Sequence, residues 1–199
     1  MQTQCHPKRL TAWLNNCVPG PPPPLDPNTQ QEMQDLLVNL GNTSDFTMME
    51  GGGRAVDLST QAVWRLRAIG DPATPFLLDT LAGNDSAQAR SRALDTLGFL
   101  HGDANDYDDQ YLAVYIIAAS DSESMVRGIA IGWIAKTVRE TYQRHPEDCE
   151  RLVPYLQEAL TDPNEAIQRA AARGLLHTGH RDLIPHDLLE KYDLLRERL

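Results

Sequence analysis

The chain has 199 residues, of which 41% are hydrophobic and 23% are charged, a composition ordinary for a soluble protein able to bury a sizeable core. Its 28 acidic residues outnumber the 18 basic ones, so the formal net charge is −10. This balance argues against general nucleic-acid binding, because phosphate contacts rely on Lys and Arg, and it favours solubility or attraction to a basic partner.

The cysteines and the apolar runs indicate the compartment. Cys5, Cys17 and Cys149 are far apart and follow no pattern, so a disulfide framework is not expected. The first 25 residues lack the apolar run of a signal peptide, and no later stretch approaches the roughly 18 apolar residues that span a bilayer. We therefore expect a cytoplasmic protein with no membrane segment.

Residues 1–27 are predicted to form an N-terminal arm ahead of a repeat domain at 28–199. Residues 7–16 could form a short amphipathic helix, and the prolines between Pro19 and Pro24 favour an extended polyproline spacer. The PxxP spacing of Pro21 and Pro24 would also permit docking to an SH3 domain, but a semi-rigid spacer is the favoured interpretation.

The rest of the chain has the periodicity of helices. A first apolar stripe ends near Gly41, and a long connection with three consecutive glycines at 51–53 follows. These glycines lack the Gly-Lys-Ser/Thr ending of a phosphate-binding loop, so they favour a mobile loop. Further helices are predicted near Leu58–Ile69 and at 74–82, 86–100, 108–119, 123–144, 148–160, 164–178 and 185–198. No segment shows the alternation of a strand, and the predicted fold is all-α.

Three stretches of the chain repeat one another when Asn84, Asp121 and Asp162 are superimposed. Nine positions after each anchor stands an alanine, and apolar residues occupy the positions five and thirteen after it. The anchors lie 37 and 41 residues apart, a spacing typical of stacked helix-pair repeats. Small side chains at the alanine positions would let neighbouring helices approach closely.

This repeat, with its helix pairs joined at an acidic or amide turn residue, resembles HEAT-type repeats, particularly the short bacterial kind found in phycobilin lyases. The resemblance is carried by the prolines that open apolar helices (Pro75, Pro154 and Pro185) and by the turn residues. It implies a helical solenoid of about four helix pairs with capping helices at both ends. It also implies a hydrogen-bond ladder, in which a turn Asp is followed six residues later by Arg: Asn84 with Arg90, Asp121 with Arg127, and Asp162 with Gln168 in place of Arg.

No catalytic motif, metal site or cofactor is predicted. His177, His180 and His186 could ligate a metal, but histidines are also common at helix C-termini. The acidic stretch 103–109 lacks the spacing of a calcium loop. The His-Glu dipeptides of the HEAT-like deoxyhypusine hydroxylase, a nucleophile elbow and a CxxC pair do not occur.

A partner is expected on the concave face, which the second helix of each pair lines in a HEAT-like stack. Its outward positions should follow each anchor by 7, 11 and 15 residues, which gives three outward columns: Ser91, Gly128 and Arg169; Asp95, Gly132 and Arg173; and Phe99, Lys136 and His177. The residues expected to contact the partner on this face are Trp64, Arg92, Asp95, Phe99, Lys136, Arg139, Arg173 and His177. Exposed aromatic and arginine residues dominate many interfaces, and the basic end of this wall would suit an acidic peptide or loop. Trp64 and Phe99 could instead pack beneath a loop.

The sequence thus favours a protein-binding module, such as an adaptor, an inhibitor or immunity protein, or an assembly factor, without catalysis of its own. The first alternative is a bilin-lyase-like or other HEAT-type enzyme whose site residues are scattered. A second is nucleic-acid binding of the HEAT-like alkylpurine glycosylase kind, which the negative charge and the three lysines disfavour.

Overall fold

A computed structural model of the chain describes residues 25–44, 46–48, 55–101 and 109–194. The predicted arm helix and polyproline spacer, the triglycine at 51–53, Cys5, Cys17 and the acidic stretch 103–108 lie outside the described residues. The described residues divide into two compact units, an N-terminal unit within 5–101 and a C-terminal unit within 102–199.

The N-terminal unit consists of two helix pairs and a short ribbon. Its elements are α1 (Pro27–Asn39), β1 (Phe46–Met48), β2 (Ala55–Asp57), α2 (Leu58–Ile69), a 3-10 turn (Asp71–Ala73), α3 (Thr74–Gly83) and α4 (Ala87–His101). Helix α1 packs on α2 and α3 packs on α4, and the second helices α2 and α4 also contact each other.

The C-terminal unit continues the same plan with two short additions. Its elements are α5 (Asp109–Ala118), α6 (Ser124–Thr141), α7 (Pro146–Glu150), α8 (Val153–Ala159), α9 (Glu165–His177), a 3-10 turn (Arg181–Leu183) and α10 (His186–Lys191). The pairs are α5 with α6 and α8 with α9, and the second helices α6 and α9 contact each other. The prediction of an all-α fold with about four helix pairs is confirmed.

Acidic and amide side chains begin several of these helices. Asp26 accepts hydrogen bonds from the backbone N–H groups of Asn28 and Thr29, and Asn164 accepts one from Ala166. Asp57 accepts the Thr60 N–H at 2.8 Å and the Thr60 hydroxyl at 2.8 Å. Burial tends to raise the pKa of Asp57, but these hydrogen bonds outweigh it and the pKa is lowered. The carboxylate therefore caps α2 in its charged form.

The repeated alanines lie in the core of each unit. Ala93, Ala130 and Ala171 are fully buried, on α4, α6 and α9 respectively. Gly174 adds a second close approach on α9, since a Cβ there would lie 2.8 Å from Leu156 Cδ1 and 3.3 Å from Ala135 Cβ. Small residues on α9 thus allow it to pack tightly against both α8 and α6.

The predicted helix at 148–160 is two helices, α7 and α8, separated at Arg151 and Leu152. Pro154 lies in the first turn of α8 and has no N–H to donate to the carbonyl of Glu150, so a continuous helix would lose that bond. Pro146 opens α7 in the same way.

The described part of the connection between α1 and α2 contains a short antiparallel ribbon. Thr47 of β1 pairs with Val56 of β2, and each strand has three residues. Strands this short give no visible alternation in the sequence, because the pattern needs about four to eight residues. Among the described helices, none combines the length and the apolar character that crossing a bilayer demands.

Candidate partner-binding faces of the second helices

Two exposed aromatic side chains lie on the contacting second helices of the N-terminal unit. Trp64 of α2 is 44% exposed and Phe99 of α4 is 57% exposed. Exposed aromatic side chains on neighbouring helices, with arginines beside them, are a candidate docking surface. We call the surface of Trp64, Arg67, Arg92, Asp95 and Phe99 the N-terminal face.

Arg67 links the two helices of the N-terminal face. Its guanidinium carbon lies 3.4 Å above the centroid of the Phe99 ring, and its Nη2 lies 3.3 Å from Asp95 Oδ2. The pKa of Arg67 is lowered, first by burial and also by the positive charge of Arg92, whereas Asp95 raises it. The stacked guanidinium therefore holds Phe99 at the surface with one side of its ring covered. Arg67 was not predicted from the sequence, because its position in the repeat does not fall in the outward columns.

Arg92 is the second guanidinium of the N-terminal face. Within the described residues it forms no salt bridge or side-chain hydrogen bond, and its Nε is buried without a partner. Its charge influences both Arg67 and Asp57, so the three groups lie within electrostatic range of one another. The N-terminal face thus has two neighbouring arginines. Of these, only Arg67 forms a salt bridge, and its partner is Asp95.

One residue of the predicted outward columns is buried. Ser91 was placed in an outward column with Gly128 and Arg169, but it is buried at 3% exposure. Its hydroxyl donates to the Gln88 carbonyl at 2.9 Å within α4, which satisfies the polar group at a buried position. Arg169 is exposed on α9, as the register indicates.

The C-terminal unit presents a second set of predicted residues, which we call the C-terminal face: Lys136, Arg139, Arg173 and His177. Lys136 and Arg139 share one carboxylate, since Glu140 lies 3.6 Å from Lys136 Nζ and 2.9 Å from Arg139 Nη2. Lys136 also lies 4.4 Å from the centroid of Trp133. Arg173 is exposed and His177 is half-buried on α9. Glu140 therefore offsets part of the positive charge on this face.

Trp133 is a feature of α6 that the register did not single out. It is 6% exposed and stacks on Tyr115 of α5, with centroids 6.1 Å apart and planes 14° apart. The buried stack joins the two helices of this pair and gives Lys136 an aromatic platform. The sequence signal for its burial was its position next to Ile134, which the repeat register places in the core.

Arg127 connects two successive turns of the C-terminal unit. Its Nη1 donates to the carbonyls of Asp121 and Ser122 at 3.0 and 2.8 Å. Its Nε and Nη2 donate to the two carboxylate oxygens of Asp162 at 2.7 and 3.2 Å, a bidentate contact. The hydrogen bond with Asp162 raises the pKa of Arg127, so both partners are held in the charged form.

The other ladder residues form local contacts. Arg90 Nη1 donates to the carbonyls of Asn84 and Asp85 at 3.0 and 3.1 Å, within one turn. Gln168, which stands where an arginine was expected, donates from Nε2 to the Asp162 carbonyl at 2.8 Å. The amide thus keeps the contact with its own turn without a charge.

Within the described part of the chain, His177, His180 and His186 are not grouped at distances that would let them share one ion. His180 Nε2 lies 3.2 Å from Glu150 Oε2, and His186 pairs with Glu190 on α10. One group among the described residues lies within reach of a shared ion: His145 with Glu147 and Asp148. These side chains stand at the exposed start of the five-residue α7, where carboxylates stabilise the helix dipole without any ion.

Comparison with protein-family models and with curated proteins finds no match. Among solved structures, the fold is similar to the complex of CpcE and CpcF of phycocyanin lyase from Nostoc sp. PCC7120. The TM-score is 0.50 and the sequence identity is 21%, over 83% of this chain and 86% of that chain. At this identity the similarity shows the fold alone. The chain therefore has an all-α, HEAT-like fold.

Proposed function

We propose that the protein is a binding module that holds another protein on the faces of its second helices. In this role it acts as an adaptor, an inhibitor or immunity protein, or an assembly factor. The observation that carries the proposal is the exposure of Trp64 and Phe99 on contacting helices beside Arg67 and Arg92. Aromatic and arginine side chains are enriched among the residues that dominate binding at protein interfaces, so this combination supports a docking surface.

Affinity capture from a lysate of the source organism, analysed by mass spectrometry, tests the proposal. We expect Trp64→Ala and Phe99→Ala each to weaken retention of a specific protein by about tenfold or more. Helicity and melting temperature should change little, because neither side chain is part of the buried core. The matched control is Val38→Ala, which removes an 80% exposed apolar side chain from α1. An identical set of captured proteins for all variants would contradict the proposal.

The C-terminal face is tested separately by Arg173→Glu. This change reverses one exposed charge on α9 and should abolish binding of a partner that engages this face. Unchanged affinity in Arg173→Glu, together with a loss in Trp64→Ala, would restrict the partner to the N-terminal face.

A bilin-lyase-like enzyme is the second candidate, and the similarity in fold to the phycocyanin lyase complex favours it. Incubation with a free bilin followed by gel filtration distinguishes the two. Co-elution of visible absorbance with the protein would support the lyase-type function. A colourless protein that still retains a protein partner would support the binding module.

A further inference from the structure

The charged residues of the N-terminal unit are sorted between its helices. The first helices α1 and α3 carry Glu32, Asp35 and Asp79 and no Lys or Arg. The second helices α2 and α4 carry one acidic residue, Asp95, and these four arginines: Arg65, Arg67, Arg90 and Arg92. In a chain with a net charge of −10, the second helices of this unit are therefore locally positive.

The same sorting occurs in the C-terminal unit. Helices α5, α7 and α8 carry only acidic charges, namely Asp109, Glu147, Asp148, Glu150 and Glu158. The second helices α6 and α9 carry two acidic residues, Glu140 and Glu165, against these basic ones: Arg127, Lys136, Arg139, Arg169 and Arg173. Because the sorting occurs independently in both units, it is a property of the repeat and not of one helix.

Not all of these cations are available to a partner. Arg90 is bonded to its own turn, Arg127 to Asp162, and Arg65 pairs with Glu32 of α1. The N-terminal face retains Arg92, which forms no salt bridge among the described residues and has only the more distant charge of Asp57, beside Arg67, which pairs with Asp95. The positive charge that remains lies next to the exposed rings of Trp64 and Phe99.

We propose that the N-terminal face binds an acidic polypeptide segment whose carboxylates flank an apolar or aromatic side chain. This inference rests on the proposed function and names the class of its partner. A partner carboxylate beside Arg92 would relieve the repulsion between the two guanidinium groups and gain charge-assisted hydrogen bonds. The apolar side chain would cover the exposed parts of the Trp64 and Phe99 rings.

A polypeptide fits this face better than a nucleic acid. Duplex DNA carries one negative charge per roughly 1.7 Å of its axis, and a protein of net charge −10 repels such a ligand beyond the contact itself. A short acidic segment brings only a few carboxylates, which the two arginines can neutralise. It also brings the apolar side chain that the exposed rings require.

Selection of short random peptides displayed on phage against the full-length chain tests the inference. We expect the selected peptides to be enriched in Asp and Glu next to aromatic or large aliphatic residues. Labelled copies of these peptides are then measured by fluorescence anisotropy. Changing their acidic residues to Asn and Gln should weaken binding by about tenfold, and raising NaCl from about 50 to about 300 mM should weaken it several-fold.

Two matched variants test whether Arg92 is the residue that binds the acidic peptides. Arg92→Gln should weaken binding of the acidic peptides by about tenfold. Arg151→Gln makes the same charge change at an exposed site beyond α7 and should leave affinity unaltered. A single-stranded oligonucleotide and a labelled second copy of the chain serve as competing ligands, and tighter binding of either one would overturn the inference.

The outcomes separate this inference from the proposed function. Selected peptides that are apolar and uncharged, and that depend on Trp64 and Phe99 but not on Arg92, would overturn the acidic partner while supporting protein binding. Acidic peptides that bind Arg92→Gln as well as the unaltered chain would also overturn it. If no peptide is enriched and Trp64→Ala captures the same proteins as the unaltered chain, both proposals fail.

Discussion

Asp162 accepts hydrogen bonds from Nε and Nη2 of Arg127, so it joins two turns of the C-terminal unit. It also accepts the backbone N–H of Asn164 at 2.8 Å. Burial tends to raise the pKa of Asp162, but the hydrogen bonds with Arg127 and Asn164 and the charge of Arg127 lower it overall from 3.8. The carboxylate is thus favoured in the folded state.

We expect Asp162→Asn to lower the free energy of unfolding at neutral pH by about 3 kcal/mol, because it leaves a mostly buried guanidinium without its counter-ion. A carboxyl with a lowered folded pKa contributes stability above its unfolded value of 3.8 and loses it as pH falls through the lower folded value. The difference between variant and unaltered protein should therefore shrink below about pH 4.

Urea unfolding at neutral pH and near pH 3 measures this difference. Glu158→Gln, at an exposed position on α8, is the control and should leave stability nearly unchanged at both pH values. A difference for Asp162→Asn that stays constant with pH would show that the carboxylate charge is not responsible.

Two helical glycines of the C-terminal unit have opposite surroundings. A Cβ at Gly132 of α6 would meet no atom within 4 Å, whereas a Cβ at Gly174 of α9 would overlap a methyl of Leu156 and crowd Ala135. We expect Gly132→Ala to raise the free energy of unfolding by about 0.5–1 kcal/mol, because glycine is a poor helix former. Gly174→Ala should lower it by about 1–2 kcal/mol, since the overlap outweighs the gain in helix propensity. Chemical denaturation of both variants tests the pair, and stabilisation by Gly174→Ala would contradict the close packing.

At the scale of elements, α10 is attached to the last helix pair by a few identifiable contacts. The Tyr192 hydroxyl donates to Gln168 Oε1 at 2.6 Å, and Arg169 and Lys191 lie 5.1 and 5.3 Å from the Tyr192 ring. Gln168 in turn donates to the Asp162 carbonyl. The amide that replaces the expected arginine thus joins the last turn to the C-terminal helix.

We expect Tyr192→Phe to loosen α10 locally, because the change removes a hydrogen bond from a side chain that is 8% exposed and leaves Gln168 Oε1 unpaired. Amide hydrogen exchange should accelerate about fivefold within 186–194 while α6 and α9 keep their protection. Tyr155→Phe, which removes a hydroxyl from a half-buried position on α8, is the control. Uniform acceleration across the C-terminal unit would contradict a local role for this bond.

At the scale of the whole molecule, a net charge of −10 makes electrostatic repulsion a general cost of folding. Screening weakens this repulsion more than it weakens the mostly buried pair of Arg127 and Asp162. We expect the melting temperature to rise by about 2–4 °C between low salt and about 0.3 M NaCl, a shift of roughly 1 kcal/mol for a chain of this size. Circular dichroism measures the shift, and a fall in melting temperature would mean that exposed ion pairs outweigh the repulsion.

Local sequence information accounted for much of the helical architecture and failed at identifiable places. The bounds predicted for α2 agree with the structure, because Asp57 and Gly70 mark its ends. The break between α7 and α8 was missed in the predicted range 148–160, although Pro154 was correctly predicted to open an apolar helix. The burial of Ser91 was missed as well, because a repeat register assigns faces by averaging over helices that differ in length and rotation.

The sequence by itself determined the helix pairs, the buried alanines and the helix starts, because these follow from periodicity and from bonds between near neighbours in the chain. Only the tertiary structure decided that Arg67 covers Phe99, that Tyr192 meets Gln168, and that Gly174 lies against Leu156. These contacts join residues far apart in sequence, and their formation depends on the separation and rotation of packed helices. A repeat of small inward side chains permits such packing, but it does not fix which outward side chains meet.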